Sequence, residues 1–224
     1  MNDVWLVVAA YNEGSVIKEV LNDALDFFPN IVVVDDGSQD ETAASILETG
    51  AWCVIHPINL GQGAALQTGI TFALSRGASF IATFDADGQH DPKDVVGMVE
   101  QMKLSSADVI LGSRFKGNTI GMPRIKQLFL RLAVFYTNLT SSVKLTDAHN
   151  GLRLFNRKAA MDLRIRQNRM AHASEIIDFI GKMKWVYEEY PVTIKYTDYS
   201  IRKGQRMSNS VSIVMDQLLS KFNR

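Results

Sequence analysis

Short apolar runs and longer amphipathic stretches alternate through the first half of this chain. Residues 4–10, 31–34, 52–55, 80–84 and 108–112 are brief runs rich in Val, Ile and Phe, which have the length and chemistry of buried strands. Between them, residues 15–27, 40–49, 63–76 and 92–103 carry helical spacing. Asp91-Pro92 opens the last of these with a capping carboxylate and a proline in the first turn. The alternation predicts βαβ units and a mostly parallel sheet flanked by helices. In the second half, Ile125, Leu128, Phe129, Leu132, Phe135, Tyr136 and Leu139 fall at helical spacing and predict one helix over residues 123–143, with Gly117, Gly121 and Pro123 marking a loop before it. Strands are expected again near residues 152–156 and 185–196, the second interrupted by Pro191, which suits an edge or a bulge. Val211, Val214, Met215, Leu218, Leu219 and Phe222 share one face of a final amphipathic helix. No repeat, linker or low-complexity tract divides the chain, so one domain is expected over residues 1–224.

The chemistry gathers where these strands end. Asp85 and Asp87 follow the apolar run at 80–84, and side chains two apart on a strand point to the same side. Carboxylates in apolar surroundings are costly unless paired or bound to a cation, and open α/β sheets place ligands at the carboxyl edge of the strands. A hard divalent ion, Mg²⁺ or Mn²⁺, carrying substrate phosphates is the simplest occupant. Three further loops belong at the same edge: Ala10-Tyr11-Asn12-Glu13; Asp35-Asp36-Gly37-Ser38-Gln39-Asp40; and Asn59-Leu60-Gly61-Gln62-Gly63. Read alone, Asp35-Asp36-Gly37-Ser38 is equally a turn and helix cap. Gly61 and Gly63 lack a third glycine at Leu66, which argues against a dinucleotide-binding fingerprint. Asp85-Ala86-Asp87-Gly88 is not a calcium loop either, because Val96 stands where the bidentate Glu belongs.

Composition narrows the setting. Lys+Arg and Asp+Glu both number 24, so no global basic field points to nucleic acid. The single cysteine, Cys53, permits no internal disulfide and fits a reducing, cytoplasmic compartment. The amino end lacks a signal-peptide pattern, and no run reaches the roughly 18 apolar residues of a membrane span.

In order and spacing, Tyr11-Asn12-Glu13, Asp35 to Asp40, Asn59 to Ala65, Asp85 to His90, Gly112-Ser113-Arg114 and Asp147 to Phe155 resemble the family 2 glycosyltransferases of the GT-A fold, within their dolichyl-phosphate mannose synthase-like branch. The resemblance implies an inverting transferase using a nucleoside diphosphate-sugar, a UDP-sugar favoured, with a polyprenyl phosphate or lipid-linked saccharide acceptor in cell-surface glycan synthesis. It implies that residues 1–115 bind the nucleotide sugar and residues 116–224 the acceptor. Tyr11, Glu13, Asp35 and Asp36 would hold base and ribose, with Asp36 nearest the base. Gly61 and Gly63 would pack beside the nucleotide, and Asp85 and Ala86 belong to the same donor-binding set. Asp85, Asp87 and Gln89 match the metal ligands. Asp147 matches a base or acceptor-orienting carboxylate, with a turn role as its alternative. Arg114 is expected to meet acceptor phosphate or donor sugar, and Glu175 matches an acidic position near the acceptor. Arg202-Lys203-Gly204-Gln205-Arg206 resembles a late loop that closes over the diphosphate, through Lys203 and Gln205.

His149 departs from the small or polar residue usual in this branch and reads as structural more than as an acid or base. The helices at 123–143 and at the carboxyl end read first as core-packing helices. Peripheral contact with the inner membrane face is their alternative role. A catalytically silent binding or scaffold module is the alternative function, disfavoured by the intact aspartate pair. A phosphatase or nucleotidyltransferase is disfavoured because residues 4–14 hold neither an Asp-x-Asp nor a Gly-rich, Arg-containing loop.

Overall fold

Seven strands hydrogen-bond into one sheet in the order β3-β2-β1-β4-β6-β5-β7, in a computed structural model that describes residues 1–169, 171–197 and 199–200. The elements are β1 (Val4–Ala10), α1 (Ile17–Leu25), β2 (Ile31–Asp35), α2 (Thr42–Leu47), β3 (Trp52–Ile55), α3 (Gln62–Ser75), β4 (Phe80–Asp85), α4 (Pro92–Leu104), β5 (Val109–Ile120), α5 (Arg124–Thr140), β6 (Arg153–Asn156), α6 (Arg157–Asp162), α7 (His172–Met183) and β7 (Tyr187–Lys195). The pairs β1–β2, β1–β4, β2–β3 and β5–β7 are parallel, while β6 runs antiparallel to both β4 and β5. All strands but β6 therefore point the same way. The carboxyl ends of β1, β2 and β4, and the amino end of β6, meet at one edge.

Alternation on the strands divides the core into two layers. Val4, Leu6 and Val8 pack with Ile17, Val20 and Leu21 of α1 and Val95, Met98 and Val99 of α4. Trp5, Val7, Ile81 and Phe155 face the other way, toward Leu66 and Ile70 of α3 and Ile176 and Ile180 of α7. Asp91 caps α4, accepting from the Lys93 N–H at 3.0 Å, with Pro92 at the first helical position.

Two expectations need correction, and one element had none. The loop expected around Gly117 is strand, because β5 runs on to Ile120. Its glycine serves a close approach: a Cβ at 117 would fall 2.2 Å from the Val192 carbonyl oxygen of β7. Pro191 pairs with Ser113 at the point where the register begins to shift toward Asn118, on the edge strand of the sheet, a place where a missing N–H is tolerated. The short helix α6 was not anticipated, its six residues being too few to show a period. Finally, α5 is not a core-packing helix. Thr137 is its one buried residue, and Leu128, Phe135 and Leu139 are 60%, 69% and 73% exposed. Among the described residues no helix is long and apolar enough to cross a membrane. The carboxyl-terminal helix expected over 211–222 lies outside the described residues.

Candidate active site

Asp85 closes β4 and Asp87 lies in the turn that follows, both at the edge where the loops meet. The Nε2–H of His90 donates to Asp85 Oδ2 at 2.9 Å. The proton belongs on Nε2, because the buried Nδ1 has no partner. The His90 ring packs on Phe84, 5.5 Å between centroids, which fixes its plane. Lys195 of β7 donates its backbone N–H to the Gln89 carbonyl at 3.0 Å and ties the turn down. On the other side of Asp85, a Cβ at Gly151 would stand 2.3 Å from Oδ2, so only glycine lets the chain pass.

Burial would raise the Asp85 carboxyl, but the His90 hydrogen bond and the fields of His90, His172 and Arg153 hold it below the ordinary range. Asp87 goes the other way: burial and the Asp85 charge push it up to about 6. It accepts from the Gln89 N–H at 3.1 Å and from Gln89 Nε2 at 2.6 Å. Two carboxylates that destabilise one another's charge, with an amide beside them, suit a divalent cation. Among the described residues no three His, Cys, Asp or Glu side chains are grouped to hold a metal. Two carboxylates and an amide would thus leave coordination positions for substrate oxygens.

The β1 and β2 loops are knitted together. Asn12, with φ of 52°, takes its N–H to the Ser38 hydroxyl at 2.9 Å, and its side-chain oxygen accepts from the Gln39 N–H at 2.9 Å. The Glu13 N–H donates to Thr42 Oγ1 at 2.8 Å, and its carboxylate accepts from the Tyr199 hydroxyl at 2.6 Å. Tyr11 is exposed at this edge. Asp35 accepts from the Ser38 N–H and hydroxyl and tightens the turn. Asp36 is buried beneath the 59–63 loop: Oδ1 meets His56 Nδ1 at 2.7 Å and the Leu60 N–H at 3.0 Å, and Oδ2 meets the Gly61 N–H at 2.6 Å. Its carboxylate therefore shapes the loop expected beside the nucleotide.

That loop is pressed from the far side by residues 167–168. Gly61 has φ of +100°, and a Cβ there would fall 2.3 Å from the Asn168 carbonyl oxygen; at Gly63 it would fall 2.0 Å from that of Gln167. The Gly63 N–H donates to Asn168 at 2.8 Å. Glu175, in the first turn of α7, accepts from the backbone N–H groups of Arg166 and Gln167, the latter at 2.8 Å. Glu175 thus holds this backbone in place.

Arg114 and Asp147 form a buried pair. Asp147 Oδ2 accepts from Arg114 Nε at 2.6 Å and from the Arg114 backbone N–H at 3.1 Å. The guanidinium also donates to the Tyr196 hydroxyl at 2.8 Å and the His149 carbonyl at 3.2 Å. Burial alone would lower the Arg114 pKa, but Asp147 and Tyr196 raise it, so the cation is permanent. His149 is pushed down to about 4 by burial and the neighbouring arginines, against the pull of Asp147, and is neutral at pH 7.

Tyr11, Glu13, Asp35, Asp36, Gly61, Asp85, Ala86, Asp87, Gln89, Arg114 and Asp147 all lie on loops or strand positions of this one edge, with Gly63 and Glu175 behind the 59–63 loop. Lys203 and Gln205, like the whole 202–206 segment, fall outside the described residues. Sequence reasoning missed His56, His90, Arg153 and Tyr196 as parts of the site. His90 had a signal, five residues after Asp85 in the same loop, and Arg153 had one inside the Asp147 to Phe155 motif; His56 and Tyr196 come from other loops and strands and had none.

With the geometry in place, comparison with known proteins gives the class. The profile described as Glycosyl transferase family 2 matches residues 5–164. The chain belongs to glycosyl transferase family 2 and is a glycosyltransferase. It is 30% identical to the UDP-N-acetylglucosamine–dolichyl-phosphate N-acetylglucosaminyltransferase of Methanococcus voltae, over 99% of this chain and 97% of that one. It is also 35% identical to an uncharacterized protein of Methanocaldococcus jannaschii, over 99% and 93% of the two chains. Among solved structures, glucosyl-3-phosphoglycerate synthase from Mycobacterium tuberculosis, in complex with Mn²⁺ and UDP-glucose, superposes with a TM-score of 0.73 at 17% identity, over 98% of this chain and 78% of that one. That likeness carries the GT-A fold.

Proposed function

We propose that this enzyme moves a sugar from a nucleoside diphosphate donor, a UDP-sugar first among them, to a polyprenyl phosphate, with inversion and with Mg²⁺ or Mn²⁺, in the building of a cell-surface glycan. The observation that carries the reading is the Asp85–Asp87 pair at the end of β4, beside Gln89 and across the edge from the Arg114–Asp147 pair. The Methanococcus voltae relative, whose name gives a UDP-sugar and a dolichyl phosphate, supports the substrate classes.

Asp85, Asp87 and Gln89 would hold the metal. The chemistry supplied there would be that of a Lewis acid, offsetting the charge that grows as the nucleoside diphosphate leaves. His90 keeps Asp85 turned toward that position. Tyr11, Glu13, Asp35 and Asp36, with the Gly61–Gly63 loop, would seat the nucleotide, and Lys203 and Gln205 are assigned to the diphosphate by resemblance alone. Arg114, held by Asp147, Tyr196 and His149, keeps further N–H donors for an anionic acceptor. A phosphate nucleophile is already ionised and needs no proton removed, which suits an Asp147 committed to Arg114. An acceptor hydroxyl would instead require a base. Glu175 acts through the 166–167 backbone.

Residues 1–115 would serve the donor and 116–224 the acceptor. The exposed face of α5, with Arg124 and Arg131 on the same helix, would rest on the inner membrane surface and let the lipid approach. The test is to incubate the protein with Mn²⁺ and a panel of nucleotide sugars, offering polyprenyl phosphate against lipid-linked saccharides. Transfer to polyprenyl phosphate is expected; transfer only to the saccharides would return Asp147 to the role of base.

A further inference from the structure

Arg153 is the one charged side chain of the β6 strand floor whose partners are missing. It stands on β6 opposite Thr83 of β4 and Leu111 of β5. That is one step of side-chain alternation from Gly151, which abuts Asp85. The residue is 4% exposed, and its guanidinium makes neither a hydrogen bond nor an ion pair with any described residue. Arg114, on the neighbouring strand, makes four hydrogen bonds through its side chain and backbone. A nearly buried cation without a direct protein partner is expensive, and because none of its nitrogens is among the buried atoms left without a partner, the little area this side chain keeps open includes the guanidinium itself.

The surroundings supply an explanation. The charged groups whose fields reach Arg153 are Asp85 and Asp147, and the titratable neighbours it acts on in turn are Asp85, His149 and His172. Both imidazoles are neutral at pH 7, so they neither compensate the guanidinium nor compete with it. What remains is a fixed positive charge whose field reaches the Asp85 carboxylate without a hydrogen bond or ion pair to it.

Such a charge acts with opposite sign on the two partners of the reaction. It repels a cation arriving at Asp85 and Asp87, and a divalent ion feels that repulsion twice over. It attracts the diphosphate that would arrive with the same cation. With Asp85, Asp87, Asp147 and Glu13 against Arg114, Arg153 and Lys126, the fixed charges leave a weakly anionic seat (four negative against three positive). Without Arg153 the excess would double. We propose that Arg153 is a positioning residue that makes the Asp85–Asp87 seat selective for a metal already paired with a nucleoside diphosphate over the free ion. The inference rests on the metal reading given above and adds the order in which metal and nucleotide are held.

The test measures binding. Free Mn²⁺ is titrated against the full-length protein and read by electron paramagnetic resonance, with and without saturating UDP, for the wild type and for Arg153→Met, Arg153→Gln and Arg153→Lys. The two neutral variants back one another up should either fail to fold, as judged by thermal melting. The expected result is at least a tenfold tighter hold on free Mn²⁺ in the neutral variants, with weaker UDP binding in the presence of Mn²⁺. Arg153→Lys, which keeps the charge, should stay within about twofold of wild type, a size of change that corresponds to well under 1 kcal/mol. A merely structural arginine would weaken free-metal and nucleotide binding together; that outcome, or unchanged Mn²⁺ affinity, overturns the inference while leaving the metal site standing. Absence of Mn²⁺ binding in the wild type even with UDP would overturn both.

Discussion

Asp85 and Asp87 sit two residues apart, yet their environments drive them in opposite directions. One is held anionic by a histidine and a distant arginine, the other lifted to about 6 by burial and by its neighbour's charge. Losing either should remove the metal without unfolding the chain. Asp87→Ala is expected to cut transfer by at least about a hundredfold while the melting temperature stays level or rises, since a strained carboxylate is gone. Assaying turnover beside thermal melting checks both, and full activity in that variant would contradict the metal assignment. The neutral histidines give a second expectation. His172 is pushed down from 6.5 to about 4, first by burial and then by Arg153. Below pH 6.5 the unfolded chain therefore takes up a proton that the folded one refuses until about pH 4, and stability falls as pH falls through that window. The loss is on the order of 2–3 kcal/mol for such a group. His172→Gln should flatten the acid limb of a denaturation series run from pH 7 to pH 4.5; an unchanged limb would show that His172 titrates normally.

At the scale of elements, the first half of the fold was legible because β1, β2 and β4 are apolar runs buried on both faces, β3 is a short apolar run at the sheet's edge, and helices separate them at the spacing a parallel sheet demands. The second half was less so. β6 is four residues long and inserts antiparallel between β4 and β5, a placement set by distant partners and not by its own pattern. Gly117 carries the usual loop signal but serves a strand crossing close to Val192. The site shows the same division. Asp85, Asp87 and Asp36 announced themselves as carboxylates at strand ends, whereas the Asp36–His56 contact and the unpaired Arg153 exist only once the sheet is assembled. The 61–63 loop yields a prediction of its own. Gly63→Ala would force a Cβ to 2.0 Å from the Gln167 oxygen. It should cost about 1–3 kcal/mol and weaken nucleotide affinity, both readable from melting curves taken with and without UDP. Unaltered UDP affinity would detach this loop from the nucleotide site.

For the molecule as a whole, the buried carboxylates and guanidinium groups among the described residues gather at one sheet edge, while an apolar helix face lies open to solvent on α5. The sequence pattern marked α5 as amphipathic, but packing alone could decide whether its apolar face met the core. The account expects the protein to co-sediment with vesicles containing anionic lipid, and Leu132→Glu with Phe135→Glu to abolish that binding while the fold persists; a wild type that ignores such vesicles would remove the membrane role. The central claim, that the Asp85–Asp87 pair seats a metal against the leaving diphosphate, is tested most directly by crystals grown with Mn²⁺ and UDP and measured at the manganese absorption edge. The account predicts an anomalous peak within coordination distance of both carboxylates and of the diphosphate oxygens. Bound UDP with no peak at that position, or with the ion held elsewhere, would contradict it.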